Sequence, residues 1–368
     1  MAETQQQRDH RFHLMRACAR QLSGERRPTM REALAAIADS PLDLDGFGDY
    51  YGDGPVIALE ERVAELLGKP AAVFFPTGIM AQQVALRIWA GRTGNHTVAL
   101  HPLSHPDQHE GYAYSALAGL RAVWPTSEPR PPTADEVRDL PEPYGTLMLE
   151  LPLREPGFLL PSWAELVAVV GAARDRGARV HFDGARLWES TPHLGQDLPT
   201  IAALADTVYV SLYKSLRGLA GAALAGDTDV VAEARAWRRR YGGTVFQQWP
   251  AAISALAGLQ NELPRLPSYV EHARVVAAAL AGVPGARVYP LPPHTHEFQL
   301  WLPGDAESLN RAALQLAEEE KTWFGYGFAD HAPSGYAHTE IRVGAPALLW
   351  TADDVRSAAA SLLALARG

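Results

Sequence analysis

The chain has 368 residues, of which 47% are apolar, with 33 Lys and Arg against 42 Asp and Glu, a formal charge of −9. That length provides for a large core and two lobes, and the acidic balance argues against a nucleic-acid partner, which requires a basic surface. A single cysteine, Cys18, excludes an internal disulfide and suits a reducing compartment, while a polar start and the lack of any apolar run near the roughly 20 residues that span a bilayer point to a soluble, cytoplasmic protein with no membrane partner.

Residues 1–40 read as a polar and then amphipathic helical segment, with MREALAAIADS its clearest helical piece. DLDGFGDYYGDGP, Asp43 to Pro55, is dense in Gly, Asp and Tyr, so it is a loop either flexible or built around a ligand. An alternation follows. LEERVAELLG is a helix, AAVFFPTG a strand, MAQQVALRIWAG a helix, and HTVALHP and GTLMLELP are strands. WAELVAVVGAARDRG is a helix, and ARVHFDGAR, DTVYVSLYK and AALAGD are strands. Apolar strands alternating with helices predict a mostly parallel sheet covered on both faces. The Pro-rich Thr126–Gly145 stretch is a surface connection, and WRRRY, Trp237 to Tyr241, is the solvated end of a helix. After about residue 250 the order changes to Ala-rich helices, AAISALAGLQNEL and YVEHARVVAAALAG, then strands ARVYPLP, HEFQLWLP and EIRVGAP around the helix SLNRAALQLAEEEK. We therefore expect an N-terminal helical segment (1–40), a large α/β domain (41–255) and a small C-terminal α+β domain (256–368).

Ligands of such sheets bind beyond the carboxyl ends of strands, and two polar groups stand there. In HFDGARLWES, Asp183 and Arg186 follow a buried strand; an Asp in that position serves either as a helix N-cap or as a functional acid. In VYVSLYKSLRGLAG, Lys214 follows a second strand and is followed by small residues that let a flat ligand approach. A spacing of about thirty residues fits neighbouring parallel strands. An acid facing a pyridinium nitrogen and a lysine holding an aldehyde are the two groups a protein must supply to pyridoxal 5′-phosphate. FFPTGIMAQQVAL offers Thr77, Gly78 and Ile79 at a strand–turn–helix junction, which presents free amides to a phosphate or is ordinary capping. His101, His105 and His109 lie four apart as helical metal ligands would, yet Pro102 and Pro106 interrupt that helix, so no metal is expected. A single imidazole stacked on a planar ring, with Glu110 near it, is the better use of His105. HTHEF, His294 to Phe298, reads as structural or solvated. Arg342 in EIRVGAP lies mid-strand, where it pairs either with a substrate carboxylate or with a surface acid.

In order along residues 25–360, these segments resemble the threonine aldolases, in the β-eliminating-lyase group of fold-type-I pyridoxal-phosphate enzymes. The resemblance rests on DYYGDGPVIALEERVAELLGKPAAVFFPTGIMAQQVAL, HPDQHE, LMLELPLREPGFLLP, VHFDGARLWES, DTVYVSLYKSLRGLAGAALAG and EIRVGAPALLWTADDV. It implies a large lobe with a mostly parallel seven-stranded sheet between helices, a small C-terminal lobe, and a homodimer or homotetramer with active sites at the interface, the Asp43–Pro55 loop reaching the neighbouring subunit. It implies Lys214 as the Schiff-base lysine, Asp183 as partner of the ring nitrogen, His105 as the stacked ring, and Thr77, Gly78 and Ile79 as the phosphate site. Arg186 would hold the ring's phenolic oxygen beside the substrate, and Arg342 would take the substrate carboxylate. The implied reaction cleaves a β-hydroxy-α-amino acid to glycine and an aldehyde, with His105 or a water near Glu110 as base. The alternatives are another reaction of the same cofactor (β-elimination, transaldolation, racemisation) or a non-catalytic homologue. Tyr213 stands where the family usually has serine, Phe246 about where it has arginine, and GAPALL replaces a Thr-His-Leu-Asp run after Arg342. Ser23 is the counterpart of a serine near the family's start.

Overall fold

The structure is a computed structural model that describes residues 3–40, 42, 44–331 and 334–368; Asp43, the first residue of the Asp-Gly-Tyr loop, and Met1 and Ala2 of the N-terminal segment lie outside the described residues. The chain divides into two compact units, Leu34–Leu266 and a second built from residues up to Ala33 together with Pro267–Gly368.

In the first unit, seven strands form one sheet: β1 (Ala71–Phe75), β2 (Thr97–Ala99), β3 (Arg121–Val123), β4 (Thr146–Glu150), β5 (Arg179–Gly184), β6 (Thr207–Ser211) and β7 (Ala222–Gly226). Their spatial order is β1-β7-β6-β5-β4-β2-β3. Only β7 runs antiparallel to its neighbours; every other pairing is parallel. AAVFF, TVYVS and AALAG are almost wholly buried, as strands covered on both faces must be. β3 was not foreseen, because RAV is a short, partly exposed edge without an apolar run.

Register decides what this sheet can do. His181 lies opposite Thr207, and Asp183 lies opposite both Tyr209 and Glu150. Residues two apart on a strand share a face. The five polar side chains therefore occupy one face of β4, β5 and β6, with Glu150, Asp183 and Tyr209 towards the carboxyl ends. The helix Gly78–Thr93 lies on that face: its Gln82 side chain reaches Asp183 and its Trp89 side chain reaches Thr207.

A buried ionic cluster anchors the strand that leads into this helix. Glu60, on the helix Pro55–Leu67, accepts the Phe74 amide hydrogen at 2.7 Å and pairs with Arg235 at 2.6 Å. Arg238 donates to the Phe74 carbonyl at 2.6 Å and lies 3.4 Å from Glu60. WRRRY is thus only partly a solvated helix end. It closes the helix Thr228–Arg240, but Arg238 turns inward because the end of β1 presents it with an acceptor and an acid.

In the second unit, β8 (Arg287–Tyr289), β9 (Glu297–Pro303), β10 (Ala329–His331) and β11 (Tyr336–Arg342) form an antiparallel sheet in the order β10-β11-β9-β8. Phe298, Leu300 and Ile341 form a core with Leu22 and with the helices Ala306–Glu319 and Ala352–Arg367. Arg20–Gln21 pairs in parallel with Thr322–Trp323, and Met15 and Cys18 pack on Trp323. The first 33 residues therefore belong with the C-terminal part instead of standing as a segment of their own. Pairing across some 300 residues leaves no local trace in sequence. At the other boundary, the helix Trp249–Asn261 stays with the first unit, where Gly258 packs so closely on Leu216 that a Cβ would meet its carbonyl oxygen.

Removing one member of a buried ion pair strands its partner's charge, at a cost of about 3 kcal/mol. Glu60→Ala should therefore lower stability by about that amount in urea unfolding, whereas the exposed pair partner Glu65→Ala, beside Arg62, should shift it by less than about 0.5 kcal/mol.

Candidate active site

A cavity of about 420 Å³ opens beyond the carboxyl ends of β5 and β6, within the size range of small-molecule sites. Thr77, Gly78, Ile79, His105, Asp183 and Lys214, six of the eight residues singled out from sequence, line it together. Gln82, Glu110, Tyr209 and Tyr213 complete much of the wall.

The Thr-Gly turn forms because Thr77 caps the helix Gly78–Thr93, its hydroxyl accepting the Met80 amide hydrogen at 3.3 Å. Gly78 is required by space. A Cβ there would lie 2.9 Å from Tyr209 Cζ and nearer still to the hydroxyl. The cap accounts for one orphan amide; the positive end of the helix dipole lies at Thr77, Gly78 and Ile79, which line the cavity.

Asp183 is buried, with Oδ1 accepting the Ala185 amide hydrogen at 3.1 Å and Oδ2 accepting from the Gln82 side-chain amide. Burial raises its pKa, opposed by the charges of Lys214 and His105. The N-cap alternative for Asp183 is not what the structure shows, since it is a residue of β5 and no helix starts on it. Beside it, Glu150 accepts the backbone N–H of His105 at 2.7 Å, and burial together with the Asp183 charge pushes it up to about 7. His105 Nδ1 lies 2.9 Å from Glu110 Oε1, whose second oxygen accepts from Gln83 at 3.0 Å. The bond to Glu110 raises the His105 pKa, so Nδ1 carries a proton donated to the carboxylate. His101 and His109 turn to other partners, the Glu128 carbonyl at 2.8 Å and Glu155 at 2.7 Å.

The other two predicted residues are not among those that line the cavity. Arg186 is buried three residues after Asp183, its guanidinium 5.2 Å over the Phe158 ring. Arg342 belongs to the second unit. It is the last residue of β11 and is exposed; its guanidinium pairs with Glu297 and its amide donates to Ser23 Oγ at 3.0 Å. HTHEF proves structural at His296, which is buried, stacks on Tyr269 and donates from Nδ1 to the Val343 carbonyl at 2.7 Å. Phe246 is exposed and packs edge-on to Tyr50 and Tyr51.

Sequence reasoning passed over Gln82, Gln83, Glu150 and Tyr209. Part of their signal was present: two adjacent glutamines in the otherwise apolar stretch GIMAQQVAL, and a glutamate ending the strand TLMLE much as Asp183 stands one residue before the end of its own.

A family model for the β-eliminating lyases matches residues 28–300. The chain belongs to the β-eliminating lyase family. That family comprises pyridoxal-phosphate-dependent lyases, and the architecture is that of fold type I. The low specificity L-threonine aldolase of Escherichia coli (strain K12) is 30% identical over 271 residues, 68% of this chain and 75% of that protein. Among solved structures, a provisionally named aromatic amino acid β-eliminating lyase/threonine aldolase from Exiguobacterium sp. 255-15 is similar with a TM-score of 0.89 and 35% identity, covering 96% of this chain and 99% of that one. A provisionally named L-allo-threonine aldolase from Listeria monocytogenes EGD-E gives 0.89 and 32%, covering 96% and 98%. Among the described residues no helix is long and apolar enough to cross a membrane.

The His105–Glu110 pair makes a signed prediction. A raised folded pKa means its contribution to stability is complete below the ordinary histidine value of roughly 6.5 and is lost as pH rises through the higher folded value. Imidazole NMR titration of the full chain should place His105 above that value, and Glu110→Gln should return it towards roughly 6.5.

Proposed function

We propose that this cavity holds pyridoxal 5′-phosphate and that the protein is an aldolase cleaving a β-hydroxy-α-amino acid, threonine, allo-threonine or an analogue, to glycine and an aldehyde. The observation that carries the reading is the meeting of Asp183 and Lys214 in one cavity beside a helix N-terminus that only a glycine at position 78 can form.

The donor set fits the group. A phosphate suits the Thr77 hydroxyl and the Gly78 and Ile79 amides. Lys214 would supply the primary amine that holds the cofactor's aldehyde. Asp183, an anion at the cavity's inner wall, matches a protonated ring nitrogen, and His105 offers a flat face pinned by Glu110. Arg186 is our candidate for the phenolic oxygen. When bound, the cofactor supplies an electron sink for the bond broken at Cα.

The chain's own residues do the rest. Glu110 holds the proton on His105 Nδ1, which leaves Nε2 as the basic nitrogen of the neutral ring, and we assign it the β-hydroxyl proton. Burial of Asp183 strengthens its attraction for a cation, since the local dielectric is low. Relatives named for threonine and allo-threonine cleavage support the choice of bond. Tyr213, on the cavity wall and about half exposed, is placed to influence substrate choice.

Purified protein should show a visible cofactor band and release glycine and aldehyde from threonine, allo-threonine or phenylserine. Lys214→Ala should abolish both, and Asp183→Asn should cut kcat about a hundredfold, the order of a lost charge-assisted contact of ~3 kcal/mol. A protein that binds no pyridoxal phosphate overturns the proposal. A normal band with no aldehyde from any of the three overturns the aldolase assignment alone.

A further inference from the structure

We propose that Trp89, Thr207, His181 and Gln82 form a hydrogen-bond relay of fixed direction that positions Asp183 and keeps it a carboxylate. The contacts are continuous: Trp89 Nε1 to Thr207 Oγ1 at 2.8 Å, Thr207 Oγ1 to His181 Nδ1 at 2.9 Å, His181 Nε2 to Gln82 Oε1 at 2.6 Å, then Gln82 Nε2 to Asp183 Oδ2. All five side chains are buried.

The direction follows from the two ends. An indole N–H can only donate, and a carboxylate can only accept. Gln82 must therefore turn its NH₂ to Asp183 and its oxygen to His181. His181 must then carry its proton on Nε2, so Nδ1 accepts. The Thr207 hydroxyl, already accepting from Trp89, gives its single proton to Nδ1. Each member is a donor on one side and an acceptor on the other. Burial outweighs the Thr207 backbone acceptor, which favours the charged ring, and pushes the His181 pKa down to about 3, so the ring is neutral.

The relay answers a local problem. Burial favours protonation of Asp183, and Lys214, His105, Glu110, Glu150 and Tyr209 are, among the described residues, ionisable groups that face it. A donated N–H favours the charged form, and the Ala185 amide on the other oxygen fixes the plane of the carboxylate. A flipped Gln82 amide would set oxygen against oxygen; His181 prevents the flip, and Thr207 with Trp89 prevents the tautomer change that would permit it. Gln82, His181, Thr207 and Trp89 are positioning residues. Their geometry stands on its own, while their consequence for the cofactor rests on the reading proposed above.

The test uses the full chain without cofactor, labelled with ¹⁵N-histidine, the His181 signals being those lost in His181→Gln. A neutral Nε2–H tautomer, unchanged from about pH 5 to 8, is expected. A cationic or Nδ1–H His181 overturns the relay. In a second measurement, pyridoxal phosphate is titrated and its visible spectrum recorded. Thr207→Val, close to isosteric, should weaken binding about tenfold and Gln82→Met about tenfold to a hundredfold, both with an altered band, and Thr207→Ser should restore the wild-type values. Unchanged affinity and band in both variants, with normal binding by wild type, overturns the relay and leaves the cofactor reading standing. Wild type that binds no pyridoxal phosphate overturns the cofactor reading, and the tautomer then decides the relay.

Discussion

A carboxyl group buried near the carboxyl end of a central strand is the constraint on which this structure turns. An isolated carboxylate in an apolar interior is costly, and it either takes a proton or acquires compensation. Asp183 has compensation, an amide N–H on one oxygen, a glutamine N–H on the other, and Lys214 and His105 within electrostatic reach, set against burial and the like charges of Glu110 and Glu150. Parallel pairing of β5 with β6 places Asp183 beside Tyr209 and His181 beside Thr207, so the strand that carries the acid also carries the residue that orients its neighbour. A one-residue slip would send every one of these side chains to the other face.

The same sheet builds the opposite wall. Glu60, Arg235 and Arg238 fix the end of β1 through the backbone of Phe74, two residues before the turn at Pro76 and Thr77. The helix that starts there can approach β6 only because position 78 has no side chain, and the Tyr209 hydroxyl occupies that space. One close contact thereby sets both the height of the helix N-terminus and the reach of Gln82, four residues on, to Asp183. Stability and site geometry are coupled through the backbone of a single strand–turn–helix unit.

Much of this was legible in residue order, and the reasons differ by element. Apolar strands between amphipathic helices announced the parallel sheet, and Asp183 and Lys214 stood out as polar residues at strand ends, where burial needs a purpose. The antiparallel course of β7 and the assignment of residues up to Ala33 to the C-terminal unit were not legible, because pairing partners distant in sequence leave no periodicity behind. Gln82 and His181 were overlooked for another reason. A glutamine inside a helix and a histidine inside a strand look like minor interruptions until register shows that each completes the other's hydrogen bonds.

The central claim is that Asp183 is a buried anion matched to a cationic nitrogen in a planar ligand. Equilibrium binding of pyridoxal phosphate, set against its carbocyclic analogue in which carbon replaces the ring nitrogen, tests it most directly in wild type and in Asp183→Asn. The account predicts that wild type prefers the nitrogen-bearing ring by about tenfold or more and that the preference disappears in Asp183→Asn. Equal affinity of wild type for the two rings would contradict it.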